Sequence, residues 1–355
     1  MVAFFVMTGV LAASSLVPAL EGQKTKSSNW QIAAGYYAKR AWRILPAYLT
    51  SLAVALSILL WLKSNIGSLK HPHAREVARY VTSADPRSVW VDLTLSLNIF
   101  RRLGLVSYQW NLASQAQFYA VVPLVLIALK PGSKSGYRSR VLHAAVLTIV
   151  LSIAFRAFVA WKYQLTVPFS LYALDHFNVG GSSGHDPRHV RMNGHFFYDL
   201  HATLPGRANE FALGVVVYLL SSNFHTHASF KKHSVACTIG SVVLLALNGL
   251  ACFSGAKAYE ANAYPSAPPG VCYFVHIFII GVFNPLCVAW LILYVLAQPD
   301  ALSSLFARLL SVQPLKFMAD ISLSFWMLNW QDKVLAQLVS SLRGKSAALG
   351  TKKAA

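Results

Sequence analysis

The chain has 355 residues, of which 55% are hydrophobic and only 12% charged, with a mean hydropathy of +0.48 and a formal net charge of +19. Soluble globular domains carry about a quarter of their residues charged, so the composition excludes that class and indicates an integral, multi-pass membrane protein. The basic residues lie mainly between apolar runs, which suits loops at an anionic bilayer surface and argues against a nucleic-acid groove.

Residues 2–20, VAFFVMTGVLAASSLVPAL, read as a first span, and the small pair Thr8-Gly9 suits close helix packing. No basic stretch precedes it, which disfavours a cleaved signal peptide, and the abrupt start suggests an upstream segment. Next, Lys39, Arg40 and Arg43 run into the apolar residues 42–62, a span with a cationic collar. No charge occurs from Leu45 to Leu62, about the length that a bilayer core of about 30 Å requires. Pro46 is expected to bend the start of this helix and free a backbone group near the arginines, where a polar ligand could be held. The alternative is that the collar only sets topology.

Residues 89–100, VWVDLTLSLNIF, carry Asp92 and are too short to cross alone. An interfacial helix, a re-entrant segment and a partial span all remain open. Residues 110–129 form a span whose first turns hold Gln115, Gln117 and Tyr119, and residues 141–161 form another with Arg156 near its end. The stretch 162–206 is rich in His, Gly and Asp, including His176, His185, His189, His195 and His201. His185 and His189 have a ligand-like spacing, but Gly184 and Pro187 oppose a helix there, so solvated loop histidines are favoured over a metal site.

Further spans are read at 204–220, 235–253, 271–296 and 315–339, the last carrying Asp320, Ser322, Ser324, Asn329 and Gln331. The basic tail 343–355 is expected to be disordered. The whole is an all-α, polytopic bundle of about eight to nine spans. The short basic loops at 21–41, 130–140 and 222–234 fall on one side and should be cytosolic, although the basic tail conflicts with that parity. Of the four cysteines, Cys252 and Cys272 flank one loop and could pair, with packing roles as the alternative.

Ionisable groups inside spans are costly and mark function by default. Glu210 lies one helical turn from Arg207, either as a functional pair or as an ion pair that anchors a helix end. Asp320, Ser322 and Ser324 can equally be a helix N-cap. The GxSxG spacing at Gly180-Gly181-Ser182-Ser183-Gly184 falls in a Gly-Ser run rather than at a nucleophile elbow, and no P-loop or GxGxxG pattern is present.

Five stretches match one pattern in order. Phe4-Phe5-Val6-Met7-Thr8-Gly9 looks like FFVLSG, and Arg40-Ala41-Trp42-Arg43-Ile44-Leu45-Pro46-Ala47 looks like RRxxRILPA. Trp110-Asn111-Leu112 through Gln117-Phe118-Tyr119 looks like WSLSVEEQFY, followed by Pro123. Arg207 through Glu210-Phe211 and Gly214 looks like R..EF..G, and Ile321-Ser322-Leu323-Ser324 through Trp330 looks like ISYSIYLWHW. On these residues the chain resembles the acyltransferase 3 family of polytopic membrane acyltransferases, and its eukaryotic, nose-resistant-to-fluoxetine-like branch in particular is an option. Residues 1–342 would form the family's membrane domain without its first span.

The resemblance implies acyl transfer from an acyl-CoA-type donor, as co-substrate rather than bound cofactor, to a hydroxyl of a carbohydrate, lipid or small molecule. Its implied substrate-binding residues are Arg40, Arg43, Trp110, Arg207 and Ser322, with Gln115, Tyr119, Glu210 and Asn329 as polar cavity candidates. The arginines, Trp110 and these polar groups are expected to share one hollow. The chain also departs from the family. The first-span histidine held to act as base has no counterpart, Gln115 stands where a glutamate is expected, and Asn329 replaces a histidine. The chain is therefore either an incomplete member or a non-catalytic relative, and the alternatives to catalysis are a lipid or small-molecule transporter and an inert scaffold.

Overall fold

In hydrocarbon a backbone can satisfy its polar groups only within a helix or a closed barrel, and here every described element is helical. The computed structural model describes residues 2–21, 28–65, 89–96, 98–99, 109–129, 136–162, 200, 203–221, 228–260, 275–297 and 300–310. In order these form α1 (Val2–Glu21), α2 (Asn29–Asn65), α3 (Val89–Leu93), α4 (Gln109–Ala128), α5 (Tyr137–Lys162), α6 (Leu204–Ser221), α7 (Ala228–Glu260), a π-helical segment (Val275–Phe283), α8 (Asn284–Ala297) and α9 (Ala301–Leu310). Among the described residues four helices are long and apolar enough to cross a membrane: α1, α5, and the parts Asn111–Ala128 of α4 and His233–Leu250 of α7. A fifth candidate runs from Gly281 through α8 and bends by 92° into α9. The expected span at 315–339, the histidine-rich stretch, the Cys252–Cys272 pairing and the basic tail lie outside the described residues or side chains.

Contacts divide the chain into two units, one of residues 1–40 and 114–312 and one of residues 41–113 with 313–355. In the first unit α6 lies between α1 and α5, and α8 packs on both α1 and α6. Val6 and Val10 of α1, Leu213 and Val217 of α6, and Ala289, Leu293 and Ala297 of α8 form one buried apolar cluster. Gly9 and Gly214 let the backbones of α1 and α6 touch, the close approach that small residues permit between membrane helices. Leu147, Val150 and Leu151 of α5 and Ile239, Val242, Leu247 and Leu250 of α7 point outward and exposed, as lipid-facing residues do.

Capping chemistry sets two helix starts. The Ser28 hydroxyl accepts from the Gln31 amide N–H at 3.3 Å while Gln31 Oε1 accepts from the Ser28 N–H at 2.9 Å, a reciprocal capping box. It starts α2 at Asn29, so the helix takes in much of the region read as the loop 21–41 and runs continuously past Pro46 to Asn65. α9, absent from the sequence reading, begins the same way: Asp300 Oδ1 accepts from the Ser303 N–H at 2.8 Å and Ser303 Oγ from the Asp300 N–H at 3.2 Å. The Asp300 carboxylate also accepts from Tyr294 Oη at 2.7 Å and Ser234 Oγ at 3.1 Å, which ties α7, α8 and α9 together.

In the second unit the described residues of 89–100 hold one short helix, α3. α3 ends after Leu93 because Leu95 adopts a left-handed φ of 52°. The Leu95 and Ser96 N–H groups then turn back to the Asp92 and Val91 carbonyls at 2.9 and 3.0 Å, a Schellman-type stop. Tyr48 of α2 donates to the Asp92 carbonyl, and both residues are buried.

Candidate functional site

Two polar clusters of the first unit meet α1. The first is built on the start of α6, where the i, i+3 spacing places Arg207 and Glu210 on one face and Arg207 Nη1 donates to Glu210 Oε1. Arg156 of α5 comes to the same carboxylate oxygen, its Nη2 3.8 Å away, while its Nε donates to the Gly206 carbonyl at 2.8 Å. All three side chains are buried, Glu210 fully, and Glu210 Oε2 has no hydrogen-bond partner. The Arg207 guanidinium also lies 5.5 Å from the centre of the Phe5 ring on α1. Beside this triad, Ser152 donates to the Pro205 carbonyl at 2.7 Å and to Asn209 Oδ1 at 3.3 Å, and Asn209 Nδ2 donates to the Gly281 carbonyl. Unpaired charges at such a place cost several kcal/mol each, which is why the cations and the carboxylate share one oxygen.

The second cluster lies at the junction of α1, α2 and α4. Arg40 is half-buried, its guanidinium 5.1 Å from the ring centres of both Tyr36, one turn earlier on α2, and Tyr119 of α4. Its Nη2 donates to the Leu11 carbonyl of α1 at 3.3 Å. Gln115, one turn before Tyr119, donates from Nε2 to Tyr119 Oη at 2.8 Å and to Thr8 Oγ1 of α1 at 3.1 Å. Tyr37 Oη closes the junction by donating to the Ala120 carbonyl at 2.8 Å. Burial pushes the Tyr36 phenol above its ordinary range, and the Arg40 charge offsets only part of that rise.

An aromatic column joins the two clusters. Phe118 stacks on Phe211 with ring centres 4.3 Å apart, and Phe211 meets Phe5 at 4.9 Å. Tyr119 adjoins Phe118 at 6.1 Å.

Of the residues expected at the site, Arg40, Gln115 and Tyr119 come together in one cluster, and Arg207 and Glu210 in the other. Arg43 is exposed and belongs to the second unit, as does Trp110, which is placed only by the backbone of the first turn of α4. Ser322 and Asn329 lie outside the described residues. Sequence reasoning did not assign Arg156, Thr8, Tyr36, Ser152 or Asn209 to a site. For Arg156 the signal was present, a lone charge in an apolar run. For Thr8 there was none, because a hydroxyl in a small-residue pair reads as packing. Among the described residues no three His, Cys, Asp or Glu side chains gather as metal ligands.

Neither a scan against protein-family models nor searches of curated proteins and of solved structures returned a match to this chain.

Proposed function

We propose that the chain is a membrane-bound O-acyltransferase resembling the acyltransferase 3 family, moving an acyl group from an acyl-CoA-type donor to a hydroxyl of a carbohydrate, lipid or small molecule. One observation supports this reading above the others. Four stretches far apart in sequence meet around α1: Phe5 and Thr8, then Arg40, then Gln115, Phe118 and Tyr119, then Arg207, Glu210 and Phe211. These are four of the five stretches that carry the resemblance, and their polar members gather in two clusters joined by the Phe118–Phe211–Phe5 column.

In the reaction, the acceptor oxygen attacks the thioester carbonyl, a C–O bond forms, the C–S bond breaks, and the hydroxyl proton passes through a base to the departing thiolate. Arg40 is assigned to the phosphates of the donor, as a guanidinium braced by aromatic faces suits an oxyanion. Arg207 and Glu210 form the inner polar pair. None of these groups is assigned as the base.

Purified protein in nanodiscs, given a radiolabelled acyl-CoA and a mixed pool of lipid and sugar acceptors, should form labelled ester, and Arg40→Gln should reduce its formation. Donor-independent movement of a solute across vesicles, with no ester formed, would replace this reading with translocation on the same scaffold.

A further inference from the structure

We infer that a hollow between α4, α5 and α6 holds one acyl chain of an anionic phospholipid, whose headgroup phosphate pairs with Arg140. The inference stands apart from the acyl-transfer reading.

The hollow measures about 130 Å³ and lies wholly within the first unit. Its floor is buried and apolar, formed by Val122 and Leu126 of α4, Ala145 of α5 and Ala212 of α6. At its edge Val121 and Val125 of α4 are 45% and 43% exposed, so it continues into the lipid-facing surface. Among its lining side chains only Thr148 has a polar group, and that hydroxyl is spent on the Ala144 carbonyl at 2.8 Å. Water finds no partners in such a place, and an empty void forfeits dispersion contacts along its lining, so hydrocarbon is the fitting occupant.

Length points to the chain of one leaflet. Phe118 and Leu129 line the hollow eleven positions apart on α4, about 16 Å at about 1.5 Å per residue. That is about half of a bilayer core of about 30 Å. The Leu129 end is pinned, because Tyr137 Oη donates to the Leu126 carbonyl at 3.2 Å and Arg140 Nε to the Leu129 carbonyl at 3.0 Å. These two bonds hold the α4–α5 hairpin, so the hollow exists before a lipid enters it.

The headgroup follows from charge. Arg140 is half-buried and immediately precedes Val141, which lines the hollow. The carboxylate of Glu21 is taken up by Arg138 at 2.9 Å, and residues 130–136 add Lys130 and Lys134 with no acid. Cations at a membrane surface favour anionic lipids, and a guanidinium suits the geometry of a phosphate. The loop 130–140 is one of those expected on the cytosolic side, whose leaflet carries the anionic lipids.

The test places the purified full chain in nanodiscs with phosphatidylglycerol or phosphatidylcholine bearing a diazirine in one acyl chain, and maps the crosslinks by peptide mass spectrometry. Phosphatidylglycerol should label the lining of the hollow about fivefold more than phosphatidylcholine, and more than it labels the outward Leu247 and Leu250 of α7. Arg140→Gln should reduce phosphatidylglycerol labelling of the hollow by about fivefold and leave phosphatidylcholine labelling unchanged. Ala144→Leu, which fills the hollow from one wall, should reduce its labelling by both lipids, and Ala208→Leu does the same from the opposite wall if the first variant fails to fold. Equal labelling by the two lipids, or labelling no stronger in the hollow than on α7, overturns the inference. Displacement of the label by palmitoyl-CoA would assign the hollow to a donor's chain and overturns it too, as does absence of label there because a second copy covers it. No readout depends on ester formation, so failure of the acyl-transfer reading leaves this test intact.

Discussion

Gly9 of α1 and Gly214 of α6 face each other across a backbone contact. A methyl group built on Gly214 would come within 2.8 Å of the Gly9 Cα and overlap the Val6 carbonyl, and one on Gly9 would overlap the Phe211 carbonyl. The obstacle is backbone in both directions, so no side chain can rotate away. Gly9→Ala or Gly214→Ala should therefore force α1 and α6 apart at a cost of at least about 1–3 kcal/mol, read as a lower melting temperature in detergent. Gly35→Ala on α2, where an added Cβ meets nothing within 4 Å, should instead be neutral or stabilising by up to about 1 kcal/mol.

Arg156 and Arg207 share one oxygen of Glu210 in a buried place, so the three changes should not be equal. Glu210→Ala takes the carboxylate from both guanidinium groups and is expected to cost about 3–5 kcal/mol. Arg156→Met removes one cation, keeps most of the volume and leaves the Arg207–Glu210 pair, so it should cost less. Chemical unfolding of the variants in mixed micelles measures the order, and Arg156→Met proving the more damaging would reverse the assignment of Glu210 as the hub.

Asp300 gives a pH dependence with a definite sign. Desolvation pushes its carboxyl upward, but the hydrogen bonds from Ser303, Tyr294 and Ser234 outweigh that and hold it below the ordinary carboxylate range. A group depressed in the folded state stabilises above its unfolded value and loses that contribution as pH falls through its folded value. Native protein should thus melt higher than Asp300→Asn near neutrality, and the gap should close as the pH drops below about 4. A gap that widens on acidification would contradict this account.

In the second unit, Tyr48 Oη is the donor to the buried Asp92 carbonyl. Tyr48→Phe removes one of that carbonyl's two hydrogen bonds, leaves the one from the Leu95 N–H, and should cost about 0.5–1.5 kcal/mol. Faster hydrogen exchange at Leu95 and Ser96, whose N–H groups close the same turn, is the accompanying local signature.

Much of the architecture was legible in one dimension because its causes are local. Long apolar runs must be helical in a bilayer, and the spans read at residues 2–20, 110–129 and 141–161 coincide with α1, α4 and α5 to within a few residues. The Arg207–Glu210 pair was readable from its one-turn spacing. Where the reading missed, a short polar signal was outweighed by hydropathy: Ser28 with Gln31 starts α2 well before its apolar run, and Asp300 with Ser303 starts a helix in a stretch to which no element was given.

What tertiary structure alone decided is which distant groups became neighbours. Gln115 and Thr8 are 107 positions apart, and Arg156 and Gly206 are 50 apart. Such pairings depend on the crossing of particular helices, which depends in turn on how closely backbones such as those at Gly9 and Gly214 can approach. The residue types announced apolar helices and a few costly charges. The packing of α5 on α6, and of α1 on α2 and α4, turned those charges into two organised polar clusters, because a buried charge or amide is stable only where a partner is supplied.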